Sequence, residues 1–253
     1  MLKIKNQKSD SAELYIYGDI VDDQDGAWLR DWDMDDGFEW PKDIKEQLDA
    51  LKGKDLTIYI NSNGGDVASG VAMANMIARH DGHTVAVVDS FCCSIATQIF
   101  FSADERKMPE NTYLMIHKPW MMAWGDAKEL IRAAATLDTI QEGLESTYRK
   151  CARAGVTAEQ IHQMTEDETW LTGSEAAELF DIQVMEPLGA VACYGSRESL
   201  KALHNEKIPA ALHFAGAGEK AFDAPPQGGA EDKDYADKRV KIALARAKGM
   251  MAR

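Results

Sequence analysis

Residues 56–71 read LTIYINSNGGDVASGV, and the fold follows from how this stretch changes texture. Leu56 to Asn61 is short, apolar and rich in β-branched and aromatic residues, as a buried strand is. A glycine pair, Gly64 and Gly65, interrupts it, and from Asp66 to His80 the apolar residues Val67, Val71, Ala74 and Ile77 or Ala78 recur along one helical face. Thr84 to Val88 is a further strand. The spacing therefore predicts repeated strand-then-helix units, an α/β class with helices packed on a sheet of crossover-linked strands. Strand order is not readable from it.

Working outward, Glu13 to Gly18 (ELYIYG) alternates apolar and polar residues as a first strand, and Pro41 to Leu51 suits a helix with proline in its first turn. Between them, residues 22–40 are acidic and carry tryptophans. Their DWDMDDGFE portion superficially resembles a calcium loop, but counted from Asp31 the sixth and twelfth places hold Asp36 and Lys42 instead of glycine and glutamate. We read this stretch as a solvated acidic insertion, and expect no metal. Ser94 to Phe101 suits a short buried helix, Tyr113 to His117 a strand, and Gly125 to Gly155 one long helix. Leu130, Ala133, Leu137, Ile140, Leu144, Thr147 and Cys151 make a seam along that helix, which can face its own core or an oligomer partner. Thr172 and Glu175 have capping-box spacing before another helix.

The chain has 253 residues and a net charge of −14, which disfavours phosphate backbones and anionic lipid surfaces as partners. No stretch reaches the roughly 18 apolar residues of a membrane span, and the opening lacks a signal-peptide core, so a cytosolic location is expected. Four cysteines, Cys92, Cys93, Cys151 and Cys193, lack metal-ligand spacing and are read as reduced thiols. We read residues 1–190 as one domain, 191–230 as an extension and Gly/Pro-rich linker, and 231–253 as a charged tail, either a partner-binding helix or an exposed segment without fixed structure.

A serine becomes a competent nucleophile only beside an imidazole that takes its proton, and the developing oxyanion needs fixed amide donors. The chain offers INSNGGDV (Ile60 to Val67), CCSIA (Cys92 to Ala96) and LMIHKP (Leu114 to Pro119). Each alone is ordinary: a tight turn, a helix cap, a core histidine. Together with LTGSEAAEL (Leu171 to Leu179) they resemble, in order, the signature blocks of the proteolytic subunit of the caseinolytic protease, ClpP, over roughly Glu13 to Glu186. The acidic insertion and the YIYGDI opening are more similar to ClpP-related head maturation proteases of phages and prophages.

The resemblance implies a ClpP/crotonase-like fold with a long oligomerisation helix, and a serine endopeptidase working through an acyl-enzyme without a cofactor. It implies Ser94 as nucleophile, His117 as general base, and the Gly65 and Ile95 amides as oxyanion donors. The third triad member departs from the pattern. Counted from Leu171, the family's aspartate position holds Gln183, and Asp181 lies on the same strand face two residues earlier; Asp181 is preferred, with Gln183 or neither as alternatives. Cys92 and Cys93 flank Ser94, but Ser94 occupies the nucleophile position relative to Ile95 and Ala96. Implied partners are a polypeptide substrate, further copies in a ring-shaped homo-oligomer, an unfoldase ATPase, and, for the phage kind, capsid or scaffold proteins in the host cytosol or assembling particle. The rival readings are an inactive shell or scaffold protein of this fold and a crotonase-type acyl-CoA enzyme.

Overall fold

In the computed structural model, residues 4–186 are described; the expected linker and tail, 191–253, lie outside them. The chain opens with β1 (Ile4–Lys5) and β2 (Ser11–Ile20), then α1 (Asp23–Asp31), β3 (Phe38–Glu39) and α2 (Pro41–Ala50). β4 (Asp55–Gly65), α3 (Val67–Ile77), β5 (Thr84–Cys93), α4 (Ala96–Phe101), β6 (Glu105–Pro109) and β7 (Tyr113–Ile116) follow. α5 (Ala127–Cys151), α6 (Ala158–Glu166), β8 (Thr169–Thr172), α7 (Gly173–Leu179) and β9 (Gln183–Met185) complete the described residues. Among these no helix is long and apolar enough to cross a membrane.

The strands form one nine-stranded sheet in the order β1-β2-β4-β5-β6-β9, with β3 beside β2 and β7 bridging β5 to β8. Parallel pairing of β2 with β4 and β4 with β5 confirms the crossover-linked α/β class read from residues 56–71. Burial alternates strictly along β2, so Leu14 and Ile16 enter the core with Ile58 and Ile60 of β4 and Ala86 and Val88 of β5. Helices α3 and α4 cover that face through Met73, Ile77, Ile99 and Phe100.

β5 forks, and the fork positions the site. Its first half, Val85 to Val87, pairs with β6, whereas Phe91 to Cys93 pairs with β7. The end of β5 is thereby set beside the end of β7.

The acidic stretch differs from the expectation of a solvated insertion. Asp22 caps α1 by accepting from the Asp25 amide, and Leu29 packs with Val21 and Trp40 in a small core of its own. Gly26 is why the indole fits: a Cβ there would lie 2.3 Å from Trp40 Cδ2. The Arg30 guanidinium lies 4.6 Å from the Trp40 ring centroid, a cation–π contact. The long helix carries the expected seam over only part of its length. Leu144 and Tyr148 are buried, but Leu130 is 44% and Ile131 70% exposed, so among the described residues the first half of α5 is mostly uncovered. It is preceded by exposed Trp120, Met121, Met122 and Trp124.

Candidate active site

Ser94 sits between the end of β5 and the start of α4, at φ 55. A non-glycine residue holds this left-handed conformation at a cost, and here neighbouring hydrogen bonds impose it. The Ser94 amide donates to Met115 O on β7 at 2.8 Å, and its carbonyl accepts from the Thr97 amide and hydroxyl at 3.0 and 2.6 Å. The side chain is turned out of the strand line toward residue 117. His117 follows β7 by one residue, and its Nε2 lies 2.7 Å from Ser94 Oγ, within proton-transfer reach. Both residues are half-buried.

The glycine pair closes the third side. A Cβ on Gly64, at φ 93, would lie 2.7 Å from Ser94 Cβ and 3.1 Å from the Ile95 amide nitrogen, so it is Gly64 that lets β4 approach the nucleophile's turn. Gly65 has a different constraint. A Cβ there would stand 2.0 Å from Ile20 O, because β2 runs alongside, yet the residue itself is exposed. Gly64, Gly65, Ser94, Ile95 and His117 thus meet where β4, β5 and β7 end.

Asp181 and Gln183 are placed elsewhere. The Asp181 carboxylate is 76% exposed and pairs with Arg106 at 3.1 Å, while Arg106 Nε donates to its carbonyl at 2.9 Å. Arg106 pairs with Ala86, seven residues before Cys93 along β5, a separation of about 23 Å at the strand rise of ~3.3 Å per residue. Gln183 is exposed and pairs with Lys107 at the same end.

The acid that the structure brings to the site is Glu168, which the sequence reading passed over. β7 and β8 are antiparallel with Ile116 opposite Thr169, and His117 and Glu168 are the residues next beyond that pair on the two strands. Glu168 is 6% exposed, and φ is 52. Its Oε1 is buried and accepts no hydrogen bond among the described residues. Its charge also reaches the residue before Ser94: burial first, and Glu168 second, push the Cys93 thiol up. Burial does the same to Cys92, so neither cysteine is a ready thiolate. The pairing signal for Glu168 lay in counting backward from the Trp170-Leu171 strand, where the sequence reading counted forward.

The arrangement holds a hydroxyl against an imidazole, with glycine-lined backbone beside the hydroxyl and a buried carboxylate on the neighbouring strand end. Carboxylates of acyl-CoA chemistry do not stand at positions 94 and 117, and the crotonase alternative is not favoured.

Comparison with known proteins agrees. Residues 39–180, more than half of the chain, match the family model described as Clp protease. The ATP-dependent Clp protease proteolytic subunit 1 of Corynebacterium glutamicum is 29% identical over 143 residues, 54% of this chain and 68% of that protein. The corresponding subunit of Streptococcus pyogenes is 27% identical over 124 residues, 48% of this chain and 63% of that protein, so the chain spans about two thirds of these relatives' lengths. Among solved structures, a ClpP1 mutant from Listeria monocytogenes superposes with a TM-score of 0.54 at 23% identity, covering 74% of this chain and 94% of that one. That likeness supports the fold. With the family match spanning β3 to the end of α7, the chain belongs to the Clp protease family.

Proposed function

We propose that this protein is a serine endopeptidase that cleaves polypeptides through an acyl-enzyme. Ser94 Oγ attacks the scissile carbonyl, His117 Nε2 takes its proton and returns it to the leaving amine, and water then releases the acyl group. The amides of Gly65 and Ile95 receive the oxyanion; one such donor is commonly worth about 3 kcal/mol in the transition state. Glu168, in place of Asp181, orients the imidazole and stabilises its protonated form. The observation that carries the reading is the 2.7 Å contact between His117 Nε2 and a Ser94 held at φ 55. A fluorophosphonate probe tests it: the full-length protein should label, and Ser94→Ala should not. An unlabelled wild type removes the proposal.

The working form we propose is a ring-shaped homo-oligomer. Trp120, Met122, Trp124 and Ile131, each more than 60% exposed, suit burial against further copies better than contact with water. The substrates we propose are capsid-assembly proteins of a phage or prophage. The ordered α1 insertion lies before residue 39, where the family match begins, which fits a specialised branch. Co-expression with a capsid protein, followed by mass spectrometry of the products, decides this: fragments absent with Ser94→Ala support it, and intact capsid protein beside an assembled oligomer favours a shell or scaffold role. An unfoldase ATPase belongs to the same proposal, tested by whether folded substrates require one.

A further inference from the structure

The residue after the proposed base is tied to α6. The Lys118 amide donates to Thr165 O at the end of α6 at 3.1 Å, and Lys118 Nζ donates to Glu166 Oε2 at 2.8 Å. The other oxygen of Glu166 is also taken. Gln141 of α5, only 8% exposed, donates from Nε2 to Glu166 Oε1 at 3.0 Å and to Glu145 Oε1 at 2.9 Å. Glu145, 2% exposed, is held in turn by His162 Nδ1 at 2.9 Å and Arg149 at 3.3 Å. Glu166 is therefore a clamp, one oxygen on the long helix and the other on the residue beside His117.

What the clamp fixes is the turn that begins directly after it. Glu168 stands two residues beyond Glu166, in a left-handed conformation that a glutamate keeps only where its surroundings over-determine it. The α6–β8 turn also carries bonds of its own, from the Asp167 amide to Gln163 O at 2.9 Å and from the Thr169 hydroxyl to Met164 O at 2.8 Å, but at Glu168 itself the amide reaches Thr165 O at only 3.5 Å. A buried amide bridging two carboxylates has no evident packing purpose, since leucine would fill the space without needing partners. Placed here, it ties the acid's turn to the core of α5.

We infer that Gln141, Glu166 and Lys118 are positioning residues, which hold the α6–β8 turn so that the Glu168 carboxylate stays opposite His117. The inference rests on the proposed roles of Ser94, His117 and Glu168. A carboxylate beside an imidazole favours its protonated form, so a displaced Glu168 lets His117 lose its proton at lower pH. General loosening of the fold has no such signature.

The test is fluorophosphonate labelling of the full-length protein, with maximal rate and probe affinity resolved across pH. Lys118→Met, at an exposed residue, and Gln141→Leu should each lower the maximal rate about 5- to 20-fold at unchanged affinity and move the acidic limb of the profile to lower pH by roughly half a unit. Lys118→Arg should restore both. A Lys118→Met protein with the wild-type rate and limb overturns the inference. So does loss of rate and affinity together with a fixed limb. Labelled wild type beside unaltered variants removes the clamp alone, whereas wild type that never labels removes the peptidase reading beneath it.

Discussion

At the level of single residues, the meeting of Ser94 with His117 was legible because each lies in a short block, Cys92 to Ala96 and Leu114 to Pro119, that resembles a family signature. Glu168 was not. Its place depends on antiparallel pairing of β7 with β8, a contact between segments about fifty residues apart in sequence that no local pattern encodes. Asp181 was attractive because two-residue spacing shares a strand face, yet its carboxylate belongs to Arg106 at the other end of β5. The two acids separate experimentally. Glu168→Gln should slow fluorophosphonate labelling by roughly 10²- to 10⁴-fold, as loss of a histidine-orienting carboxylate does, while Asp181→Asn should stay within about twofold. Gly64→Ala should abolish labelling, since its Cβ has no room beside Ser94 and Cys93 and its φ of 93 resists any side chain.

Among the elements, caps were read correctly where they are local: Thr172 accepts from the Glu175 amide, and the glutamate returns the bond. The length of α5 was also legible, from its seam; which half of the seam meets the subunit's own core was not, because that depends on where α4 and α6 lie. The exposed half predicts its own outcome. Ile131→Glu should break the oligomer, seen as a fall in mass by sedimentation, and leave the subunit's Tm nearly unchanged because the side chain of residue 131 is 70% exposed. The α5–α6 tie has a pH dependence. A hydrogen bond to Glu145, and then its charge, hold the His162 pKa above its ordinary value. A group with a raised folded pKa stabilises fully below its unfolded pKa and loses that contribution as pH rises through the folded one. The Tm of wild type relative to His162→Gln should therefore decline from mildly acid to mildly alkaline pH, and a flat difference would contradict the assignment.

For the molecule as a whole, parallel α/β architecture was decided by the run from Leu56 to Val71, because a buried strand feeding a glycine turn and an apolar-faced helix has few other solutions. The forked β5 was beyond reach, since its two partners are chosen by long-range pairing. Order in the acidic insertion was hidden by its charge: counting aspartates conceals that Val21, Leu29 and Trp40 make a core around Gly26. Trp40→Ala should accordingly cost about 3–5 kcal/mol in denaturant unfolding, the usual range for a buried aromatic. One bond described above reaches further. The amide of Ser94 closes the β5–β7 ladder on Met115, two residues before His117, so the same strand that anchors the nucleophile also delivers its base. The Ser94–His117 contact forms within a single subunit. Dormancy imposed by dissociation would then act on the capture of long polypeptides rather than on the hydroxyl itself, and a dispersed Ile131→Glu protein should still take the small phosphonate while sparing protein substrates.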